Sequence, residues 1–255
     1  MDYIIITGAS KGLGRALAKE VAEENVTLIL IARNKCELDS LVNEISGINV
    51  KIYTFNFDLL DYEKLELLMS RIFLKVDLNN CNKITFINNA GTINPICHIG
   101  ELDMKDIKNN LVINCLSPVL ILNQFVDFCN TNSLDSKIIN ISSGAYKKPI
   151  EGWSLYSASK AAVHMIIETI AEENKNNPLM KIASIDPGIM DTNIQREIRE
   201  TSKYQFSGVE KFIEFYQDKK LRSPMDVAKT IKKFFINDWK VDSIYEKLDK
   251  YIWNE

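Results

Sequence analysis

The chain has 255 residues, of which 46% are hydrophobic and 25% charged, and its formal net charge is −3. These proportions are those of an ordinary globular protein, and α/β folds of this length often form a single domain. The small negative charge gives no reason to expect nucleic acid or an anionic membrane as a partner. We expect no apolar run long enough to span a bilayer and no signal peptide.

Cysteine and histidine usage argues against disulfides and metals. The five cysteines are odd in number and lack C-x-x-C spacing, so we expect reduced thiols in a cytoplasmic protein. His98 and His164 do not pair with a cysteine or a carboxylate at ligand spacing. The sequence therefore predicts no metal site.

Short apolar runs alternate with longer helical patterns along the chain. The runs predict strands at 3–7, 26–32, 50–57, 83–89, 137–142 and 180–185. Helices are predicted at 12–24, 35–46, 61–76, 103–130 and 153–175. Nearly continuous apolar strands are typical of a sheet covered on both faces. The alternation predicts an α/β fold, a doubly wound parallel sheet with right-handed crossovers, in one domain over 1–255.

The last quarter of the chain interrupts this alternation. Segment 189–222 has a mixed composition with many charged and aromatic residues. We expect one or two helices there, over the carboxyl edge of the sheet. A helix at 224–236, opened by Pro224, and a short strand near 243–246 complete the prediction.

A glycine pattern, "TGASKGLG" (7–14), follows the first strand and opens the first helix. Gly8 permits the sharp turn, Gly12 lets a pyrophosphate approach the backbone, and Gly14 allows close packing of helix and strand. The helix N-terminus offers free N–H groups to phosphates. A plain tight turn would need one glycine rather than three. The pattern predicts a dinucleotide-binding turn, whose other predicted cofactor-binding residues are Ser10, Lys11 and Leu13.

The end of the second strand favours one of the two nicotinamide cofactors. NAD sites usually place a carboxylate there to bind the ribose 2′-hydroxyl, but this strand ends "IARN", with Ala32 in that place and Arg33 next to it. Lys11 supplies a second cation. Either cation alone would more simply be a solvated surface charge. Two cations together, with no carboxylate at the end of the strand, suit the 2′-phosphate of NADP(H) and favour it over NAD(H).

The stretch "SLYSASK" (154–160) places a phenol and an ammonium one helical turn apart. Tyr156 and Lys160 are at positions i and i+4 and project from one helix face. A free phenol has a pKa of about 10, too high for acid–base work at pH 7. We expect the lysine to lower that pKa, so that Tyr156 can transfer a proton. The alternative is a chance pairing on the surface.

Five motifs now stand in order: the glycine pattern, "NNAG" (88–91), "ISSG" (141–144), Y-x-x-x-K and "PG" (187–188). Over nearly the whole chain this order resembles the short-chain dehydrogenase/reductase (SDR) family. The stretches "PGIMDTNIQREIRETSK", "GWSLYSASKA" and "LRSP" look most like its benzil reductase and sepiapterin reductase group. The resemblance implies a Rossmann sheet of about seven strands and NADPH-dependent reduction of dicarbonyl or pterin side-chain ketones.

The resemblance also implies catalytic roles. Tyr156 would donate a proton to the carbonyl oxygen as hydride arrives at carbon, and Lys160 would hydrogen-bond the nicotinamide ribose. Ser143 would orient the carbonyl and stabilise charge on its oxygen, with Ser142 as the rival. Asn114 would hold a water that links Lys160 to solvent. A packing role is the alternative for this amide in an apolar helical run.

Further cofactor contacts follow from the same resemblance. Asp58 would bind the adenine amino group, although it could equally stabilise a helix N-terminus. Asn89 to Gly91 would line the adenine-ribose side, Pro187 to Ile189 would lie alongside the nicotinamide, and Thr192 would bind its carboxamide. The predicted cofactor residues beyond the glycine turn and Arg33 are Asp58, Leu59, Asn89, Ala90, Gly91, Pro187, Gly188, Ile189 and Thr192, together with Tyr156 and Lys160.

Substrate residues are expected around the catalytic motif. Trp153, Tyr146 and Met190 would wall the pocket, and Asp191 would either anchor the substrate or be solvated. We expect the aromatic residues of segment 193–216 to belong to a lid or to the core.

Three functions compete. The first is an NADPH-dependent carbonyl reductase that delivers hydride to a small-molecule ketone or diketone. The second is a non-catalytic NADP(H)-binding sensor, which would not need Ser143, Tyr156 and Lys160 together. The third is a 3-oxoacyl-carrier reductase. That function predicts a basic surface for the acidic carrier, whereas segment 193–222 carries both positive and negative side chains. For assembly, the family implies a homodimer through helices 103–130 and 153–175, with a homotetramer as the alternative.

Overall fold

The computed structural model describes residues 1–252. Its centre is one sheet of seven parallel strands in the order β3-β2-β1-β4-β5-β6-β7. The strands are β1 (Asp2–Thr7), β2 (Val26–Ala32), β3 (Lys51–Asn56), β4 (Lys83–Asn88), β5 (Ser136–Ile141), β6 (Met180–Asp186) and β7 (Tyr245–Lys247). The predicted doubly wound α/β fold is confirmed.

Helices cover both faces of the sheet. They are α1 (Gly12–Glu20), α2 (Lys35–Ile45), α3 (Leu65–Phe73), α4 (Met104–Leu111), α5 (Ser117–Thr131), α6 (Ser154–Glu173), α7 (Asn193–Arg199), α8 (Val209–Gln217), α9 (Pro224–Ile231) and α10 (Asp249–Ile252). Short 3₁₀ turns lie at Tyr62–Lys64 and Gly144–Lys147, and π-helical turns lie at Val112–Leu116 and Lys232–Asn237.

Alternation along β1 divides the core into two layers. Ile4 and Ile6 belong to the layer packed with α1, α2 and α9, whereas Tyr3 and Ile5 belong to the layer packed with α3, α5 and α6. Successive side chains of a strand point to opposite faces. Because both faces are covered, the strands read as continuous apolar runs, which is why their positions could be predicted.

The carboxyl ends of the strands bring the sequence motifs together. The glycine turn follows β1, and the chain leaves β4 at Asn89, β5 at Ser142, just before Ser143, and β6 at Pro187. β1 and β4 are neighbours although β2 and β3 lie between them in sequence. This reversal of strand order makes a crevice at the carboxyl edge, where open α/β sheets bind their ligands.

The longest predicted helix, 103–130, is interrupted. α4 ends at Leu111, a π-helical turn occupies Val112–Leu116, and α5 begins at Ser117. Counted together, Met104–Thr131 is long and apolar enough to cross a membrane, by length and composition only. The expectation that no segment reaches that length was therefore wrong. The inner face of α5 packs into the core through Ile121, Leu122 and Phe125.

In the last quarter of the chain, the types of the predicted elements are correct but their boundaries differ. Segment 189–222 contains two helices, α7 and α8. α9 ends at Ile231 and continues as the π-helical turn Lys232–Asn237. The last strand is Tyr245–Lys247, slightly later than 243–246.

Candidate active site

The glycine turn is held by close backbone approach. Gly8 has φ +66°, a left-handed conformation, and a Cβ on Gly14 would lie 2.2 Å from the Gly8 carbonyl oxygen. No side chain larger than glycine fits at position 14. Lys11 is the N-cap of α1 and its side chain makes no capping hydrogen bond. The first N–H groups of α1 are thus free of a side-chain cap, as a phosphate site requires.

The end of β4 is fastened to this turn. The Thr7 hydroxyl oxygen accepts hydrogen bonds from the backbone N–H groups of Asn89 and Ala90, at 3.0 and 3.1 Å. The Asn89 side chain donates to the Thr7 carbonyl oxygen at 2.9 Å. These bonds bring the predicted residues Asn89 and Ala90 against the glycine turn. Gly91 follows, with Asn114 Oδ1 3.2 Å and Lys160 Nζ 3.8 Å from where its Cβ would be.

The two predicted phosphate-binding cations have different surroundings. Arg33 is exposed and, with Asp58, lines a cavity of about 470 Å³. Lys11 Nζ lies 3.4 Å from a carboxylate oxygen of Glu37, at the start of α2. Lys11 is thus partly neutralised, and Arg33 is the cation that opens directly onto the cavity.

Asp58 and Leu59 lie in the turn after β3. Asp58 Oδ1 accepts a hydrogen bond from the Leu60 N–H at 3.0 Å. Leu59 is buried, and its carbonyl oxygen accepts from the Ser117 hydroxyl at 2.6 Å. Both residues are held in place by α5 and by the turn after β3. The adenine contact of Asp58 stays a prediction.

Tyr156 projects from the first turn of α6 and is 7% exposed. Burial raises the pKa of its phenol to about 12, while a hydrogen bond with the Ser143 hydroxyl opposes this rise and the Asp186 charge adds to it. The expected lowering by Lys160 is not seen, since desolvation outweighs every other influence. The phenol is protonated at neutral pH, as a free phenol also is, and the raised pKa makes it a weaker acid than a free phenol.

The two candidate serines differ in their contacts. Ser143 stands beside Tyr156, and its hydroxyl oxygen also accepts from the Ala145 N–H at 3.2 Å. The Ser142 hydroxyl is buried and has no hydrogen-bond partner among residues 1–252. These contacts support Ser143 over Ser142, as the family spacing implied.

Lys160 lies one turn beyond Tyr156 on α6. Its Nζ is 5.7 Å from the Tyr156 ring centroid and donates a hydrogen bond to the Ile141 carbonyl oxygen at 2.9 Å. Burial lowers the pKa of Lys160 to about 8. The lysine is thus held at the end of β5, and its ammonium group releases a proton more readily than that of a free lysine.

Asn114 is buried within the π-helical turn between α4 and α5. Its Oδ1 accepts from the Thr92 N–H and its Nδ2 donates to the Thr92 carbonyl oxygen, both at 2.8 Å. Nδ2 also lies 3.2 Å from Asn110 Oδ1. The amide therefore fixes the loop after β4, which is the packing role; the water-holding role stays a prediction. π-helical turns of this kind are frequent at functional sites.

The loop after β6 closes over the glycine turn. A Cβ on Gly12 would lie 3.4 Å from Thr192 Cγ2. Arg222 Nη1 donates to the Pro187 carbonyl oxygen at 3.1 Å, and the Arg222 N–H donates to the Ile189 carbonyl oxygen at 3.0 Å. Met190 forms a backbone bridge with Arg222, and Asp191 is exposed. Pro187 to Thr192 thus line the crevice where the nicotinamide half of a cofactor was predicted.

Trp153 packs between Tyr156 and the aromatic residues of segment 193–216. It is buried and lies edge-on to Tyr156, with the ring centroids 5.9 Å apart. Phe206 and Phe212, from segment 193–216, also pack against Trp153, with ring centroids 5.3 and 5.7 Å from its own. Phe206 and Phe212 thus belong to the core, as expected, whereas Tyr204 of the same segment is 68% exposed. The substrate-wall role of Trp153 stays a prediction.

Tyr146 belongs to a different aromatic cluster. Its ring packs against His164 at 4.0 Å and Tyr245 at 4.7 Å. His164 is buried, with Nε2 3.3 Å from a Glu168 oxygen. Tyr146 therefore contacts the C-terminal strand rather than Trp153. Among residues 1–252, no group of three His, Cys, Asp or Glu side chains is arranged to hold a metal.

Sequence reasoning missed four residues of the site: Thr7, Asp186, Arg222 and Tyr245. Arg222 and Tyr245 act on loops that lie more than thirty residues away in sequence. Their contacts leave no local pattern to detect. Thr7 and Asp186 could have been noticed as polar residues at the ends of strands whose neighbours are apolar.

A parallel sheet with an uncapped helix start, a glycine turn and an open crevice defines a dinucleotide-binding protein. The buried Tyr156 and the partly buried Ser143 and Lys160 lie together at that crevice, as expected for an oxidoreductase of the Rossmann type. Residues 2–203 match the model of the short chain dehydrogenase family. The chain belongs to this family, whose members bind a nicotinamide cofactor.

Individual relatives are consistent with this assignment. A benzil reductase, (S)-benzoin forming, of Bacillus cereus is 38% identical and covers 91% of this chain and 93% of its own. A sepiapterin reductase of Rattus norvegicus is 31% identical, covering 78% of each chain. The crystal structure of the KRED1-Pglu enzyme superposes with a TM-score of 0.83 at 24% identity, over 96% of this chain and 100% of that one. Benzil and sepiapterin reductases are thus the group that this chain resembles.

Proposed function

We propose that this chain is an NADPH-dependent carbonyl reductase that transfers hydride to a ketone or diketone of the benzil or sepiapterin kind, with Tyr156 as the proton donor. The observation that carries the proposal is the protonated, buried Tyr156 phenol beside Ser143 at the carboxyl edge of the sheet. The named relatives supply the substrate class, because they are reductases of carbonyl compounds in the same family.

The residues fit a nicotinamide dinucleotide. The glycine turn leaves no room for a Cβ at position 14, and the start of α1 carries no side-chain cap. When bound, the nicotinamide supplies the hydride that reaches the carbonyl carbon. Arg33, at the cavity, would bind a 2′-phosphate with charge-assisted hydrogen bonds.

The protein's own groups act on the carbonyl oxygen. Ser143 donates a hydrogen bond that orients the carbonyl and stabilises the negative charge developing on its oxygen. Tyr156 then gives its O–H proton to that oxygen, so that the ketone becomes an alcohol and the tyrosine a phenolate. Lys160, with its pKa lowered to about 8, stands one turn away to stabilise the phenolate and return a proton. Trp153 and the lid aromatics exclude water from the site.

Partners and location follow from the same proposal. The partner is a small-molecule carbonyl compound, and we propose a cytoplasmic enzyme with free thiols; all five cysteines are unpaired in the structure. We also propose that the enzyme is a homodimer through the outer face of α4, α5 and α6.

The test follows NADPH absorbance with benzil, sepiapterin, small diketones and an acetoacetyl thioester. We expect turnover of at least one diketone or pterin substrate, and its loss in Tyr156→Phe by roughly 100-fold or more, because only the transferable proton is removed. NADPH affinity, measured by fluorescence titration, should stay within about twofold.

Tyr53→Phe is the matched control. Tyr53 is also a phenol near a lysine, with Lys51 Nζ 5.2 Å from its ring, but it lies on β3 at the far edge of the sheet. This variant should keep the wild-type rate. A Tyr156→Phe rate above a tenth of wild type would exclude Tyr156 as the donor, and NADPH binding without any turnover would favour the sensor.

A further inference from the structure

Asp186 is the last residue of β6 and stands directly before the Pro187–Gly188 loop. Its two carboxylate oxygens have different partners. Oδ1 accepts a hydrogen bond from the Gly188 N–H at 3.1 Å, and Oδ2 accepts from the Tyr245 hydroxyl at 2.9 Å. The side chain thus joins the loop after β6 to the C-terminal strand β7.

This carboxylate is half-buried and forms no ion pair within the described residues 1–252. Three cations of the surrounding elements have other partners. Arg222 binds the Pro187 carbonyl oxygen and the Asp249 carboxylate, Lys160 binds Ile141, and Lys147 lies 4.4 Å from the Tyr245 ring centroid. Partial removal of a carboxylate from water costs free energy unless a positive charge compensates it.

The unpaired charge lies close to the reaction site. A Cβ on Gly144, the residue after Ser143, would be 3.3 Å from Asp186 Oδ2. The same charge helps to raise the pKa of the Tyr156 phenol, after the larger effect of burial. The field of Asp186 therefore reaches the groups that handle the proton.

We propose that Asp186 is a positioning residue of the nicotinamide loop, and that its fixed negative charge stabilises the oxidised nicotinamide ring relative to the reduced one. The inference rests on the proposed function. The oxidised ring carries a positive charge and the reduced ring is neutral, so a carboxylate at this loop favours the state reached after hydride leaves. The Gly188 and Tyr245 hydrogen bonds hold the charge in place, so that it does not have to reorganise during the reaction.

The experiment compares binding of NADP⁺ and NADPH to the wild-type protein and to Asp186→Asn by fluorescence titration. The asparagine retains an oxygen that can accept from Gly188 but removes the charge. We expect the ratio of Kd for NADP⁺ to Kd for NADPH to rise by about threefold to tenfold, the effect of one charge several ångströms away in a partly solvated site. NADPH affinity itself should change little.

Tyr245→Phe is the matched control, because it removes the hydrogen bond to Oδ2 and keeps the charge. Its Kd ratio should stay within about twofold of wild type. Equal weakening of both cofactor forms in Asp186→Asn would show a merely structural residue and overturn the inference, as would an unchanged ratio.

Two further outcomes keep the test decisive. Should Asp186→Asn fail to fold, Asp186→Ser removes the charge with a smaller polar side chain and is judged by the same ratio. Failure of the wild-type protein to bind either cofactor form would overturn the proposed function and the inference with it. Tight binding with an unchanged ratio would overturn the inference alone.

Discussion

Arg33 and Lys11 differ in how far each is available to a phosphate. Lys11 shares its charge with Glu37, whereas Arg33 faces the cavity after β2. Arg15, one turn along α1, is bound to Glu44 and to the Ser10 and Glu37 carbonyl oxygens. The proposed binding of a 2′-phosphate therefore depends chiefly on Arg33.

Replacing Arg33 by alanine tests this dependence. We expect Arg33→Ala to raise Kd for NADPH by about tenfold or more and Kd for NADH by no more than about twofold, because only NADPH carries the 2′-phosphate. Fluorescence titration of both cofactors measures the difference. The control is Lys35→Ala, which removes an exposed cation two residues later. Equal losses for both cofactors would contradict the assignment.

At the scale of single residues, the sequence predicted which side chains lie together better than it predicted their burial and ion pairs. Tyr156, Ser143 and Lys160 lie together as the motif spacing implied, because i,i+4 residues share a helix face and β5 ends beside α6. The raised pKa of Tyr156 was not foreseen, since burial depends on the lid aromatics around Trp153. The Lys11–Glu37 pair was also missed, because it joins two elements across the turn.

Among the elements, the two π-helical turns are the main departures from prediction. The helical patterns at 103–130 and 224–236 are correct in position, but a shifted backbone hydrogen bond leaves no trace in composition. The first turn holds Asn114 against Thr92. The second turn, Lys232–Asn237, presents two carbonyl oxygens to a buried lysine.

That lysine is Lys137, at the start of β5. It is 1% exposed, and its ammonium donates to the Phe235 and Ile236 carbonyl oxygens. Burial lowers the pKa of Lys137 to about 8. Strand β5 and the turn after α9 are therefore joined through a charge that is costly to bury.

This pKa predicts a pH-dependent stability. Between pH 8 and about 10 the unfolded lysine holds its proton more firmly than the folded one, so the free energy of unfolding contributed by Lys137 rises with pH. The rise is at most roughly 1.4 kcal/mol per pH unit. Urea unfolding of wild type and Lys137→Met at pH 7.5 to 10 should show this rise only in the wild type.

An exposed lysine provides the comparison. Lys229→Met removes an exposed lysine on α9. Its unfolding free energy should follow the wild-type pH dependence. Parallel curves for wild type and Lys137→Met would show that Lys137 does not titrate in this range.

On the scale of the whole molecule, one face of the helical layer is unusually apolar. Leu111 and Leu116, around the first π-helical turn, and Met165 on α6 are exposed, with exposures of 39% for Leu116 and 61% for Met165. The inner sides of the same helices fill the core. These exposed apolar side chains fit the proposed dimer face.

Charges placed on that face should separate the subunits. We expect the double variant Leu116→Glu, Met165→Glu to raise the dimer dissociation constant by about tenfold or more, since two carboxylates would lose solvation at the interface. Sedimentation measures the constant. Leu74→Glu, at the residue that follows α3 and is 83% exposed, is the control and should leave it unchanged. A wild-type protein that sediments as a monomer would refute the dimer.

The strand order has a consequence for how the chain assembles during synthesis. β1 acquires β2 and β3 on one side early, but its other side stays open until β4, some eighty residues later, is made. From β4 onward each new strand joins the edge left by the one before it. Besides the β3 edge, a nascent chain thus carries an unpaired edge on the growing side of the sheet that could pair with a neighbouring chain. The growing side of the sheet ends with β7, which is only three residues long and contains Glu246 and Lys247. So short and charged a strand is a poor template for pairing with the sheet of another chain.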